Sequence, residues 1–409
     1  MTDRFLTLAA DNPRVRTIAR WLAAATLALI LYGSLFPFRF VATDVHLLDM
    51  VRNLEFARAS RGDVVANLLL YMPFGLFVML ARPASWRRWQ GFAFACLLGS
   101  LISLGVELLQ GFSNERVQSL TDLALNAAGA ALGALLAVVY QAMGHTIHIP
   151  GIGAHRPHPI PMSLLVLWLA FRLAPFVPTI DLQKYKDALK PLLIDPQIVA
   201  IDVLRYAVGW LVLGYAVRQV WKREYAIPAM AALVFIVLVG RVVVVGKAVS
   251  PSEIAALALC IPLAAILTVL QDRRRTVTLA ILLATVIVVR GLEPFTPTAV
   301  PHSFSWVPFM SSLSDNLEVN YSVLLEKFFW YFALVWLLVR RGLGVGGAML
   351  LTTVLLAAIE VAQVWLPGRS AEITDPLLAI CAAVLIGLAG AGSKSNEPRF
   401  AVGGIPRSR

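Results

Sequence analysis

The chain has 409 residues, of which 59% are hydrophobic and 14% charged, and its mean hydropathy is +0.76. Soluble domains hold roughly 45–50% apolar and about 25% charged residues, so the composition excludes a water-soluble globule, a disordered chain and a collagen-like one, and indicates a membrane protein. The formal net charge of +11 points to nucleic acid only in a soluble protein; in a membrane chain Lys and Arg collect in cytoplasmic loops, and no nucleic-acid partner is expected.

A spanning helix needs roughly 17–25 mostly apolar residues. Twelve candidates follow in chain order, beginning near residues 17, 64, 90, 119, 162, 198, 226, 252, 276, 321, 344 and 371. The first follows Arg14, Arg16 and Arg20 and runs without charge from Trp21 to Phe36. It lacks a small-x-small cleavage site and reads as an uncleaved span rather than a signal peptide. Single ionisable residues interrupt several spans: Glu107, Arg205, Arg241, Lys327 and Glu360. Cys96, Cys260 and Cys381 lie in separate apolar stretches, as small buried residues rather than disulfide partners. With the N-terminus inside, 20 of the 35 basic residues fall in cytoplasmic segments and 10 in outer ones. That bias supports twelve spans with both termini inside.

The polar residues repeat. Glu107, Gln110, Arg116, Thr121 and Asp122 recur 253 positions later as Glu360, Gln363, Arg369, Thr374 and Asp375. Leu35-Phe36-Pro37-Phe38 is echoed by Leu173-Ala174-Pro175-Phe176 and by Leu292-Glu293-Pro294-Phe295. Behind the middle echo, Arg241, Lys247, Ser252 and Glu253 stand at the spacing of Gln110, Arg116, Thr121 and Asp122, with Leu238 at the Glu107 place. Repeats of this kind precede any motif reading. The expected architecture is all-α: a polytopic helical membrane protein of three parallel four-helix units, at 1–145, 146–275 (degenerate) and 276–395, with a cytoplasmic tail at 396–409. Each unit has a longer outer segment after its first span, at 39–63, 177–197 and 296–320. Val45, Leu48 and Val51, and Leu182, Tyr185 and Leu189, are spaced for short interfacial helices.

Glu107 and Gln110 share one helical face, being three residues apart. A turn carrying Arg116 follows, Ser119 or Thr121 is placed to cap the next helix, and Asp122 falls in its first turn, complementing the dipole. The expected result is a Glu/Gln/Arg/Asp cluster at the outer end of a helical hairpin, with Asn126 one turn further on. Intramembrane ionisable residues are functional candidates. A structural reading accounts for the same residues, with Arg116 pairing Glu107 or Asp122 to close the hairpin.

Together with Asn67, Tyr71-Met72-Pro73-Phe74-Gly75, Gly129 and Gly133, this pattern resembles the VanZ-like family of bacterial membrane proteins. The resemblance covers residues 30–140 and, in part, 290–391. In the later stretch Lys327 stands near the Asn67 place, Tyr331-Phe332 lacks the Pro-Phe-Gly, and Ala379 replaces Asn126. A function needing those groups is therefore expected in the first unit. The resemblance implies a multi-pass protein of the bacterial inner membrane with a link to the cell envelope, similar to accessory proteins that lower susceptibility to lipoglycopeptide antibiotics.

His145, His148, His155 and His158 form two His-x-x-His pairs in a Gly/Pro-rich loop, a weak metal candidate. Walker-type loops, HExxH helices and GxSxG elbows are absent from the sequence, and no cofactor is implied. Three functional readings follow. In the first, a non-enzymatic protein binds an amphipathic ligand at the outer leaflet, a lipid-linked cell-wall precursor or a lipoglycopeptide. Its binding residues would be Asn67, Glu107, Gln110, Arg116, Asp122, Asn126, Glu360, Gln363, Arg369 and Asp375, with Arg116, Arg369 and Lys247 holding an anionic head group. In the second, an enzyme acts on such a lipid through Glu107 as general base, with Asp122 as a further catalytic candidate. In the third, the three repeats form a transporter with Arg205, Arg241 and Lys327 along a polar path.

Overall fold

The computed structural model describes residues 13–36, 38–41, 50, 52, 54–56, 58, 61–113, 118–143, 159–174, 176–311 and 317–394. Arg116, the four histidines of the 145–158 loop and the 396–409 tail lie outside them. The described residues form thirteen helices: α1 Pro13–Leu35, α2 Arg61–Leu80, α3 Arg88–Gln110, α4 Leu120–Met143, α5 Pro159–Leu173, α6 Leu182–Leu193, α7 Ala200–Val220, α8 Arg223–Val243, α9 Pro251–Val269, α10 Asp272–Leu292, α11 Leu317–Arg340, α12 Val345–Gln363 and α13 Thr374–Lys394. Among the described residues nine are long and apolar enough to cross a membrane, and three shorter apolar stretches lie in α2, α5 and α13. These twelve begin within a few residues of the expected starts. With backbone donors and acceptors paired within each helix, such segments tolerate a bilayer.

The thirteenth helix, α6, is the short one expected after the middle unit's first span. Asp181 caps it, its Oδ1 accepting from the Gln183 N–H at 2.9 Å. Its Leu182 and Leu193 are exposed, while Ala188 is buried and its carbonyl accepts from Val249 N–H at 2.9 Å. The stretch with Val45, Leu48 and Val51 lies outside the described residues.

Two hydrophobic cores divide the chain. The smaller gathers Ile30, Tyr71, Phe74, Val78, Met79, Ala95, Val106, Ala130, Ala134 and Ala137 from α1 to α4. Here α2 lies almost backbone to backbone on α4. A Cβ on Gly75 would stand 1.9 Å from the Ala130 carbonyl oxygen, and one on Gly133 1.8 Å from that of Met72. Only glycine permits this approach, the small-residue packing that membrane helices use where no hydrophobic force draws them together. The larger core joins α5 and α7 to α13 and is centred on Trp168, Trp210 and Phe329, with the Trp168 ring centre 5.0 Å from each of the other two, edge-on to Trp210 and tilted against Phe329. The second and third expected units thus share one interior.

The three echoed Leu-x-Pro-Phe segments share one turn. Phe38, Phe176 and Phe295 have φ of 62°, 61° and 63°, a region uncommon for residues with a Cβ. Each Phe N–H donates to the carbonyl three residues back, at 2.8, 2.8 and 2.9 Å. Three residues further on, the N–H groups of Val41, Thr179 and Thr298 donate to the carbonyls of Phe112, Val243 and Trp365, at 2.7, 2.9 and 2.7 Å. The end of one helix is thereby tied to the end of another, and carbonyls that a helix terminus leaves unpaired are satisfied.

Candidate functional site

The α3–α4 hairpin is closed by a carboxylate. Glu107, in the last turn of α3, is 2% exposed, and its Oε2 accepts from the Ser119 N–H at 2.8 Å. Gln118 Nε2 donates to the Glu107 carbonyl at 2.9 Å. Ser119 caps α4: its Oγ accepts from the N–H groups of Thr121 (3.1 Å) and Asp122 (3.3 Å), as the spacing predicts. Asp122 in the first turn accepts at Oδ1 from Asn67 Nδ2 of α2, at 2.8 Å. Gln110 turns away from this group and donates to the Ser34 carbonyl at 2.8 Å, tying α3 to the end of α1. Asn126 is buried but donates to Ser103 Oγ at 3.0 Å, a turn below Glu107. The cluster is therefore several local contacts on one helical frame rather than one ring of groups.

The α12–α13 hairpin repeats the closure. Glu360 Oε2 accepts from the Glu372 N–H at 2.7 Å, and Gln363 Nε2 donates to the Gly291 carbonyl at 2.9 Å. Asp375, at the Asp122 position, is held differently: Lys327 Nζ lies 2.7 Å from Oδ1 and Tyr331 Oη donates to Oδ2 at 2.6 Å. Glu372 takes Thr374 Oγ1 at 2.7 Å and the Ser311 hydroxyl. Arg369 does not join the carboxylates of this hairpin. Its Nε and Nη2 donate to the carbonyls of Glu293 (2.8 Å) and Arg290 (2.9 Å), where a cation complements the C-terminus of α10.

The expected middle unit has Leu238 at the Glu107 position, and its two helices, α8 and α9, are not closed on each other. α8 makes no extended contact with α9 and packs instead on α5, α6 and α7. Glu253, fully buried, pairs with Arg172 of α5 and, at 3.4 Å, with Arg241 Nη1 of α8. Trp210 Nε1 donates to its other oxygen at 3.3 Å. Sequence reading left Arg172 out of the cluster, although one charge in the apolar run from Met162 to Ala174 is the signal that could have marked it. Tyr331 and Ser103, inside α11 and α3, and Glu372, just before α13, were missed because a lone hydroxyl or carboxylate carries no pattern that names its partner.

Two shallow grooves flank the first hairpin. One, of about 380 Å³, is lined by apolar residues including Phe56, Leu101, Leu104, Leu120, Leu123 and Ala127. The other, of about 300 Å³, lies between Phe40, Val41, Leu109 and Phe112. Among the described residues no group of His, Cys, Asp or Glu is placed to hold a metal ion.

Residues 12–141 match the VanZ/LLP1 family over α1 to α4. This segment is similar to a VanZ-like domain. The residues that carried the resemblance sort by role within it. Gly75, Gly129 and Gly133 let α2 and α4 meet, Asn67 and Asp122 join the same two helices, and Glu107 shuts the hairpin. The matched VanZ-like stretch covers about a third of the multi-pass chain. No curated protein and no solved structure matches it.

Proposed function

We propose that the chain is a VanZ-like cell-envelope protein of the bacterial inner membrane that binds an amphipathic ligand at the outer leaflet, beside the α3–α4 hairpin. The observation that carries this reading is the apolar groove of about 380 Å³ bounded by Leu104, three residues before Glu107, and by Leu120, two before Asp122. An acyl or prenyl chain suits the groove, and the hairpin end with Asp122 and, in sequence, Arg116 suits a polar head group. A lipid-linked cell-wall precursor or a lipoglycopeptide has this two-part chemistry. The bias of basic residues toward the opposite loops supports the outer side. The three four-helix units are part of the same proposal, supported by the shared Phe turns and by hairpin closures 253 positions apart.

The test is binding of a lipid-linked cell-wall precursor and of a lipoglycopeptide to the full chain in nanodiscs. Leu104→Trp, which fills the groove, and Arg116→Ala are both expected to weaken binding at least tenfold. Unchanged affinity of both variants for both ligands would overturn the reading. Product formation from the precursor, lost in Glu107→Gln, would replace it with an enzymatic one.

A further inference from the structure

The open hairpin of the middle unit holds more positive charge than it neutralises. Arg172 and Arg241 share a single carboxylate, Glu253, and Lys247 stands on the 244–250 loop beside them, within electrostatic reach of both arginines. Arg172 is 5% exposed, its guanidinium carbon lies 4.9 Å from the Tyr206 ring and 5.4 Å from that of Trp168, and among the described residues its Nε has no hydrogen-bond partner. Arg241 is bound under the 244–250 loop by its Nε, which donates to the Ala248 carbonyl at 2.7 Å. Lys247, on that loop, makes no ion pair among the described residues. Burial, then Arg241, then Arg172, push its ammonium pKa down, against a smaller upward pull from Glu326.

The neighbouring charges are already matched. Arg205 pairs with Glu326 at 3.0 Å and with Asp202 at 3.3 Å. Arg290 pairs with Glu293 at 3.5 Å and Asp202 at 3.8 Å, and Arg369 with Glu293 at 3.6 Å. Three guanidiniums there face three carboxylates, and Glu326, the carboxylate of that network that acts on Lys247, is already paired with Arg205. A second, independent feature is the gap itself: α8 makes no extended contact with α9, and the loop joining them carries Lys247 and receives Arg241 at its Ala248 carbonyl. Uncompensated charge at low dielectric is expensive and is kept where a partner arrives.

We propose that Arg172, Arg241 and Lys247 form an anion site that takes a phosphate group, with Glu253 holding the two guanidiniums in place between the splayed helices. Arg forks match phosphate oxygens, and Lys adds a mobile point charge at the mouth. The site lies outside the matched domain and is independent of the groove on α3 and α4, so either reading can fail alone. The phosphate can come from a phospholipid head group or from solution, and the two sources are separable.

The experiment uses the full chain in nanodiscs of phosphatidylcholine with and without phosphatidylglycerol, followed by native mass spectrometry and thermal shift. Phosphatidylglycerol is expected to stay bound and to raise the melting temperature. Lys247→Ala, which breaks no ion pair among the described residues, is expected to weaken retention at least fivefold, with Lys247→Arg restoring it. Lys190→Ala, on the exposed face of α6, should leave it unchanged. Displacement by inorganic phosphate would assign the site to soluble phosphate as well; retention against it would assign the site to lipid. Wild-type protein that holds neither probe, or equal binding by Lys247→Ala, would overturn the proposal.

Discussion

The first and middle hairpins begin from one frame and end in opposite chemistry. Both have the Phe turn and the backbone tie that follows it, at Phe38 and Val41 in one and Phe176 and Thr179 in the other. In the first, Glu107 reaches across to the Ser119 N–H and holds α3 on α4. In the middle, Leu238 has no such reach, α8 swings onto α5, α6 and α7, and two arginines enter to meet Glu253. The frame rests on main-chain hydrogen bonds, whose donors every residue but proline supplies. The two closed hairpins each have a glutamate at that place, Glu107 and Glu360, and the open one has Leu238.

This comparison predicts a ranking of effects on unfolding in mixed micelles, read by tryptophan fluorescence. Glu253→Gln should be the most damaging, by about 3–5 kcal/mol, because it strands Arg172 and Arg241 without a counter-charge. Refolding of that variant with wild-type stability would mean that the arginines do not depend on Glu253. Next comes Gly133→Ala, which drives a Cβ into the Met72 carbonyl oxygen; overpacking there is expected to destabilise by about 3 kcal/mol, and Gly214→Ala, with open space at its Cβ, serves as the control.

Lys327→Met leaves Asp375 to Tyr331 alone. Since the lysine is 38% exposed, a loss of about 2 kcal/mol is expected, below that of the fully buried middle pair. Glu107→Gln should be the mildest, at about 1 kcal/mol or less, because the amide oxygen still accepts from Ser119 N–H. Equal losses for Glu107→Gln and Glu253→Gln would show that the charge on Glu107 matters as much as the charge on Glu253, and would erase the distinction between the two hairpins.

Much of the fold was legible in the amino-acid order. Apolar runs of spanning length carry their own boundaries, since a bilayer admits only segments that pair their own backbone, and α6 was marked by its amphipathic spacing. Part of the site was legible too: a cap at Ser119 or Thr121, Asp122 in a first turn, and Glu107 on one face with Gln110 all follow from helical geometry. The destinations of Gln110 and Arg369 were not. Each binds a backbone carbonyl of a helix more than 70 positions away, and a carbonyl leaves no trace in the identity of its residue.

Composition and spacing therefore determined that this chain is helical, built for a membrane, and patterned in echoes of one polar motif. They did so because hydrophobicity and short-range geometry are properties of local sequence. Tertiary structure alone decided that the later echoes share a single core, that the middle hairpin stands open, and that Arg172 joins Arg241 around Glu253. Those outcomes turn on contacts between distant helices, which no short window of sequence contains.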